Sequence, residues 1–95
     1  MAQTSESNYA AVGQSSASAE GLRDLGIMYS SGRNVPIDYV TAHKWFNLAA
    51  MKGSRDAARL RREIAAEMSE AEIAAAQRAA RDWLRTGHQS FAAAA

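Results

Sequence analysis

The feature that most constrains this chain is the spacing of its large apolar residues, which recur every three or four positions from Leu22 to Leu84. This spacing is typical of amphipathic helices, and no segment of the region alternates apolar and polar residues over a strand's length. Residues 1–18 and 88–95 contain few large apolar side chains, so they are predicted to be flexible tails. We therefore expect an all-α fold.

Four helices are predicted, over residues 19–31, 38–51, 54–68 and 70–86. Gly32 is expected to be the C-cap of the first helix, and Pro36 prevents a helix from continuing through the loop that follows. Asp38 is expected to be the N-cap of the second helix. The segment from Ser69 to Glu72 has the sequence of a capping box. Because the loops are short, the helices are predicted to form two antiparallel hairpins.

The predicted buried residues recur on one face of each helix, and the broad apolar set of the second helix predicts cover on more than one side. The predicted set comprises Leu22, Leu25, Gly26, Tyr29, Tyr39, Ala42, Trp45, Phe46, Ala49, Ala50, Ala57, Leu60, Ile64, Ala65, Met68, Ile73, Ala76, Ala80, Trp83 and Leu84. A core this small nearly balances the entropy cost of ordering the chain, so we expect marginal stability.

The run from Gly21 to Ala57, GLRDLGIMYSSGRNVPIDYVTAHKWFNLAAMKGSRDA, resembles a Sel-one-like repeat, a relative of the tetratricopeptide repeat. The matching positions are Leu25, Gly26, Met28, Tyr29, Gly32, Asn34, Val35, Asp38, Ala42, Trp45, Ala49, Ala50, Gly53 and Ala57. The sequence departs from the family at two of its positions. The family often has alanine at the position of Gly21 and glycine at the position of Asn34. Asparagine also tolerates a left-handed backbone, so the loop is expected to keep its conformation.

A second repeat unit is harder to identify, because Arg61 and Arg62 occupy the positions that correspond to Leu25 and Gly26 one period later. The resemblance therefore implies a right-handed, tetratricopeptide-like solenoid fragment with one clear repeat over residues 19–53. A divergent capping hairpin follows over residues 54–87, which completes a single domain over residues 19–87.

The family resemblance also implies a function, that of a protein–protein interaction adaptor in which the first helix of each pair lines the concave side. The positions that would be exposed on the first and third helices are Arg23, Ile27, Ser30, Arg59, Glu63 and Ala66. Ile27 is the only sizeable apolar side chain among them, so it is the candidate anchor. An alternative is a structural terminal fragment of a longer repeat array, without binding activity of its own.

Arginines form an alternative basic face. Arg78, Arg81 and Arg85 recur at helical spacing on the fourth helix, as Arg55, Arg59 and Arg62 do on the third. Between Lys52 and Arg85 eight basic residues stand against six acidic ones. This near balance favours ordinary charged surfaces over an acidic protein partner. Nucleic acid is the least favoured partner, because its binding surfaces are usually more strongly basic.

No enzyme activity, cofactor or metal is predicted. His43 is expected on the surface of the second helix and His88 in the tail, each without a second ligand at metal-binding spacing. Glu63 and Glu67 could share a proton or hold a cation. Arg59, one turn before Glu63, instead favours a charged helix face.

The partner predicted for this chain is another protein. The N-terminal face of the first hairpin has no cap in the sequence, which also allows a homodimer or cover by the N-terminal tail. No run approaches the roughly 20 apolar residues of a membrane span. Since no secretory signal is recognisable, we expect a cytoplasmic protein, or a periplasmic one if the chain is a fragment whose signal was removed.

Overall fold

The computed structural model describes residues 18–87, which form four α-helices and one π-helical turn and include no strand. Helix α1 spans Ala19–Ser31, α2 spans Tyr39–Met51, α3 spans Arg55–Ala65 and α4 spans Glu70–Asp82. The π turn, Trp83–Gly87, continues α4. The all-α prediction is confirmed for these residues, whereas the predicted tails, apart from Ser18, lie outside them.

Each helix begins at a polar N-cap that satisfies a backbone amide of the first turn. The Ser18 hydroxyl accepts from the Gly21 amide and the Ser54 hydroxyl from the Ala57 amide, both at 3.0 Å. Asp38 accepts from both the amide and the hydroxyl of Thr41, at 3.1 and 2.7 Å. These bonds favour the carboxylate, so they hold the pKa of Asp38 below its ordinary value.

The capping box at the start of α4 is also confirmed. The Glu72 amide donates to the Ser69 hydroxyl at 3.0 Å, and the Ser69 amide donates to the Glu72 carboxylate at 2.8 Å. These reciprocal bonds satisfy two amides that the helix itself cannot pair. Local sequence therefore determines where α4 begins.

The loop after α1 uses left-handed backbone at both expected positions. Gly32 has φ of 77° and Asn34 has φ of 68°. The amides of Gly32 and Arg33 both donate to the Met28 carbonyl, at 3.0 and 3.2 Å, so the end of α1 is paired. This confirms Gly32 as the C-cap and Asn34 as a tolerated left-handed residue.

The predicted end of the third helix is wrong, and the last turn of the fourth helix differs in geometry from the prediction. The third helix ends at Ala65 instead of residue 68, because the amides of Glu67 and Met68 bond carbonyls three residues back and so form a tighter turn. The fourth helix is regular only to Asp82 and widens into the π turn at Trp83. The Thr86 hydroxyl donates to the Asp82 carbonyl, the acceptor that the Thr86 amide would use in a regular α-helix.

Helix α2 is the centre of the fold, because it packs extensively against α1, α3 and α4. The cluster of buried core residues is Leu22, Ala42, Phe46, Leu48, Ala49, Ala57 and Ala80. Four of these belong to α2, which agrees with the prediction that this helix is covered on more than one side. Leu48 was not among the predicted core residues, because it lies off the apolar face read from the sequence.

Helices α1 and α2 pack closely at Gly26. A Cβ atom placed there would overlap Cδ1 and Cε1 of the Phe46 ring and would lie 2.9 Å from its Cγ. Phe46 is completely buried and is the largest fully buried side chain among the described residues. The absence of a side chain at Gly26 is therefore what allows the two helices to pack this closely around the ring.

Some predicted core residues are less buried than expected. Trp45 is half-buried and packs edge-on against Trp83, with ring centroids 5.8 Å apart and planes at 82°. Leu84 was predicted in the buried face of the fourth helix, but it is 42% exposed. Leu84 lies in the π turn, beyond the last regular turn of α4.

The packing of the second pair of helices differs from that of the first. Helices α1 and α2 are in extensive contact, whereas α3 and α4 touch each other little and α4 packs mainly on α2. The arrangement of two antiparallel hairpins in a solenoid therefore stays a prediction.

Candidate interaction surfaces

The predicted partner-binding residues form a surface on α1 and α3, which we call the α1–α3 surface. Its members are Arg23, Ile27 and Ser30 on α1, and Arg59, Glu63 and Ala66 on α3 and at its end. Arg59, Glu63 and Ala66 are exposed, whereas the three α1 residues are half-buried. The structure therefore exposes the α3 side of this surface more fully than the α1 side.

One carboxylate joins the two helices of this surface. Asp56 on α3 lies 3.6 Å from the Arg23 guanidinium on α1 and 3.7 Å from the Arg59 guanidinium on its own helix. Arg59 also bonds Glu63 at 3.0 Å, and Arg23 lies 3.3 Å from Asp24. Each exposed pair is worth about 0–1 kcal/mol, so the network adds little stability. It places polar groups of α1 and α3 beside one another.

The expectation that Ile27 is exposed is wrong. Its side chain is half-buried and packs against the core cluster, since the face of α1 that carries it turns toward the rest of the fold. Ser30 is also half-buried, and its hydroxyl donates to the Ile27 carbonyl at 3.2 Å. Ile27 can therefore offer only part of its surface to a partner.

A shallow groove of about 320 Å³ borders this surface, where the first turn of α1 meets the loop before α3. Among its lining residues are Glu20, Arg23, Lys52, Ser54, Arg55 and Asp56. Arg23 and Asp56 belong both to the groove and to the ion-pair network, so the groove is continuous with the α1–α3 surface. Sequence analysis did not identify this groove, because it depends on how two helix starts meet in space.

The second candidate surface is the α4 basic face, formed by Arg78, Arg81 and Arg85. All three side chains are exposed, while Ala76 and Ala80 on the same helix are buried. Arg85 bonds Asp82 at 2.8 Å. Within residues 18–87, no hydrogen bond or ion pair involves the side chain of Arg78 or Arg81. These two arginines are therefore free to bind an anion.

The prediction that His43 lies on the surface is wrong. The residue is 3% exposed, because α2 is covered by three other helices and the face that carries His43 is inside. Its Nδ1 atom is buried and has no hydrogen-bond partner among the described residues. Burial, and then the positive charge of Arg61, lower the pKa of His43 below its ordinary value. A smaller effect of its own backbone acts in the opposite direction, so the net shift favours the neutral ring.

Two polar contacts involve α2 residues near His43 in the sequence. The Arg61 guanidinium on α3 donates to the Asn47 side-chain carbonyl at 2.6 Å. Next to His43, the Lys44 ammonium lies 4.1 Å from the centre of the Trp45 ring, in a cation–π contact. Burial lowers the pKa of Lys44, and the charge of Asp38 opposes that shift.

The two carboxylates considered as a proton-sharing or cation-binding pair, Glu63 and Glu67, have different surroundings. Glu63 is bound to Arg59, and Glu67 is exposed beyond the end of α3. No group of three His, Cys, Asp or Glu residues within residues 18–87 is arranged to hold a metal ion.

Across the described helices, none has both the length and the apolar character needed to cross a bilayer.

Comparison with protein families, with curated proteins and with solved structures finds no significant match to this chain.

Proposed function

We propose that this chain is a protein-interaction adaptor whose α1–α3 surface, with the adjoining groove, binds a segment of a partner protein. The observation that carries this proposal is the bridge that Asp56 makes between Arg23 on α1 and Arg59 on α3. Because the bridge brings charged groups of both helices together, a single partner segment could contact α1 and α3 at the same time.

The chemistry of the surface defines the segment that it would accept. Arginine and carboxylate groups alternate along α1 and α3, and the groove adds Lys52 and Arg55 beside Glu20. A partner segment of mixed charge fits this pattern, with a small apolar side chain directed at the exposed part of Ile27. The adaptor function also follows the resemblance of residues 21–57 to a Sel-one-like repeat.

The test is affinity capture from the native cell, followed by amine crosslinking and mass spectrometry. The chain contains two lysines, Lys52 in the groove and Lys44 on α2. A partner bound at the proposed surface should crosslink through Lys52 and not through Lys44. Crosslinks through Lys44 alone would place the partner elsewhere and contradict the proposal.

A substitution provides the second part of the test. Ile27→Glu should abolish capture, and Ile37→Glu is its matched control, because Ile37 is 58% exposed in the loop before α2. Helicity of both variants is measured by circular dichroism, so that unfolding is distinguished from loss of contact. Retention of the partner by a folded Ile27→Glu variant would refute the α1–α3 surface.

A second candidate function is recognition of an acidic partner by the α4 basic face. It is favoured by Arg78 and Arg81, which have no acidic neighbour bound within the described residues. Reversal of Arg78, Arg81 and Arg85 to glutamate should then abolish capture. Reversal of Arg33 and Arg62, two other exposed arginines, should not.

If nucleic acid is the ligand of the α4 basic face instead, binding should weaken steeply as salt rises, because displaced counterions drive it. The remaining alternative is the structural terminal fragment of a longer repeat array. It predicts that no partner is captured by either surface.

A further inference from the structure

His43 lies one turn before Asn47, the α2 residue that Arg61 of α3 bonds, and it cannot easily be protonated where it lies. His43 on α2 is 3% exposed, and its Nδ1 atom has no hydrogen-bond partner within residues 18–87. A protonated imidazole carries a donor on each nitrogen. Protonation in place would therefore leave a buried N–H unpaired and would add a charge to a site that water hardly reaches.

The nearby charged groups also make protonation of His43 in the folded protein unfavourable. Arg61, which faces His43 from α3, is the one charged residue in the described part of the chain whose charge shifts the pKa of His43. No carboxylate on α1, α3 or α4 in that part does so. On α2 itself the neighbouring side chains are the Lys44 ammonium and the neutral Asn47 amide. A histidine cation here would meet repulsion without a compensating anion.

Helix α3 is held in place by few fully buried side chains. Ala57 is its one fully buried residue, and its apolar residues Leu60 and Ile64 are half-buried. The α1–α2 contact, in contrast, buries Leu22 and Phe46 completely. Elements with few buried apolar contacts open at lower free energy than the whole domain unfolds.

We propose that protonation of His43 opens the α2–α3 interface, so that α3 leaves α2 at mildly acidic pH while α1 and α2 remain packed. The open form exposes the imidazole to water and separates it from Arg61. Because the closed form binds the proton less readily than the open form, acid shifts the equilibrium toward opening. The open population should rise about tenfold per pH unit as the pH falls below about 6.5, until the closed form is protonated as well.

The switch does not depend on what the α1–α3 surface binds, since it concerns only the free protein. It would nevertheless act on that surface, because α3 carries Arg59, Glu63 and the bridging Asp56. Opening would separate Asp56 from Arg23 on α1.

The test is an NMR titration of the free full-length chain from pH 7.5 to 4.5. The chain has two histidines, and His88→Gln leaves His43 as the only imidazole signal. We expect that signal to titrate with a midpoint below 6.5. Over the same range, amide signals of Arg55–Ala65 should change while those of Ala19–Ser31 keep their native positions.

Two variants separate the switch from a general loss of stability. His43→Gln should remove the acid-induced change of α3 between pH 7 and 5. Arg61→Gln retains a hydrogen-bond donor for Asn47 but removes the positive charge. It should therefore raise the pH at the midpoint of the His43 titration. Arg62→Gln is its matched control and should leave the midpoint unchanged.

Three results would overturn the proposal. They are a His43 midpoint at or above 6.5, a single transition in which α1, α2 and α3 change together, and an acid step that persists in His43→Gln. If His43→Gln does not fold at neutral pH, the comparison of Arg61→Gln with Arg62→Gln decides, and equal midpoints would then refute the role of Arg61.

Discussion

The contact between Gly26 and Phe46 predicts that adding one methyl group to α1 will destabilise the domain. In Gly26→Ala the new Cβ would overlap two atoms of the Phe46 ring and lie 2.9 Å from a third. Phe46 is fully buried, so the ring cannot move outward to make room. The two helices must therefore separate, or the ring must leave its preferred rotamer.

Two opposing terms determine the size of this effect. Overpacking a well-packed core by a methyl group costs about 1–3 kcal/mol. Alanine in a helix interior is more favourable than glycine by about 1 kcal/mol. Because three ring atoms are affected and none can move to solvent, we take the upper end of the first term. The expected net loss of unfolding free energy is about 2 kcal/mol.

A double-mutant cycle tests the physical cause. Phe46→Leu alone should cost about 1–2 kcal/mol, less than the roughly 3–5 kcal/mol of truncation to alanine. In Gly26→Ala with Phe46→Leu, the smaller side chain leaves room for the new methyl group. The double variant should therefore be more stable than the sum of the single changes predicts, by at least about 1 kcal/mol.

The assay is urea unfolding followed by circular dichroism. Gly53→Ala combined with Phe46→Leu is the control pair. Gly53 has φ of 106°, so alanine is strained there, but its Cβ would meet no atom within 4 Å and cannot touch the Phe46 ring. Those two changes should add without coupling. A Gly26→Ala variant as stable as the parent, or additive effects in the Gly26–Phe46 cycle, would show that the close contact does not limit the packing.

Three further predictions concern other parts of the molecule. Trp45→Ala removes the edge-on contact with Trp83 and should lower the free energy of unfolding by about 3 kcal/mol, enough to leave this small domain largely unfolded at 25 °C. A cooperative thermal unfolding transition close to that of the parent would contradict this. Asp38→Ala removes the N-cap of α2 and should cost about 1 kcal/mol at pH 7. Because the native pKa of Asp38 is lowered, its carboxylate stabilises the fold above the unfolded value of 3.8. That contribution is lost as the pH falls through the native pKa, so the difference between parent and variant should shrink in acid. A chain that begins at Ala17 retains the Ser18 cap and should form dimers at high concentration in sedimentation experiments. If both this chain and the full chain are strictly monomeric, the first helix pair does not have the predicted open face.

The helix boundaries show how far local sequence information reaches. The caps at Asp38 and Ser69 and the left-handed residues Gly32 and Asn34 were all predictable, because each involves atoms within four residues along the chain. The π turn at Trp83 was not predicted, since regular helical spacing carries no signal for where a helix widens.

The candidate sites were less predictable than the helices. Spacing placed Arg78, Arg81 and Arg85 on one exposed face, and the structure agrees. It did not predict that Asp56 would join Arg23 to Arg59, because that contact requires α1 and α3 to lie side by side. The groove beside these residues depends on the same arrangement.

The sequence by itself determined that four helices form between residues 19 and 87, and that Asp38 and Ser69 cap the second and fourth, because these features follow from hydrogen bonds and periodicity within a few positions. Only the tertiary structure decided which faces of α2 are covered. A helical face that contains His43 can lie against solvent or against a neighbouring helix, and its own periodicity does not distinguish the two. Because α1, α3 and α4 all pack on α2, Leu48 and His43 are buried. The acid sensitivity proposed for the α2–α3 interface arises from that packing.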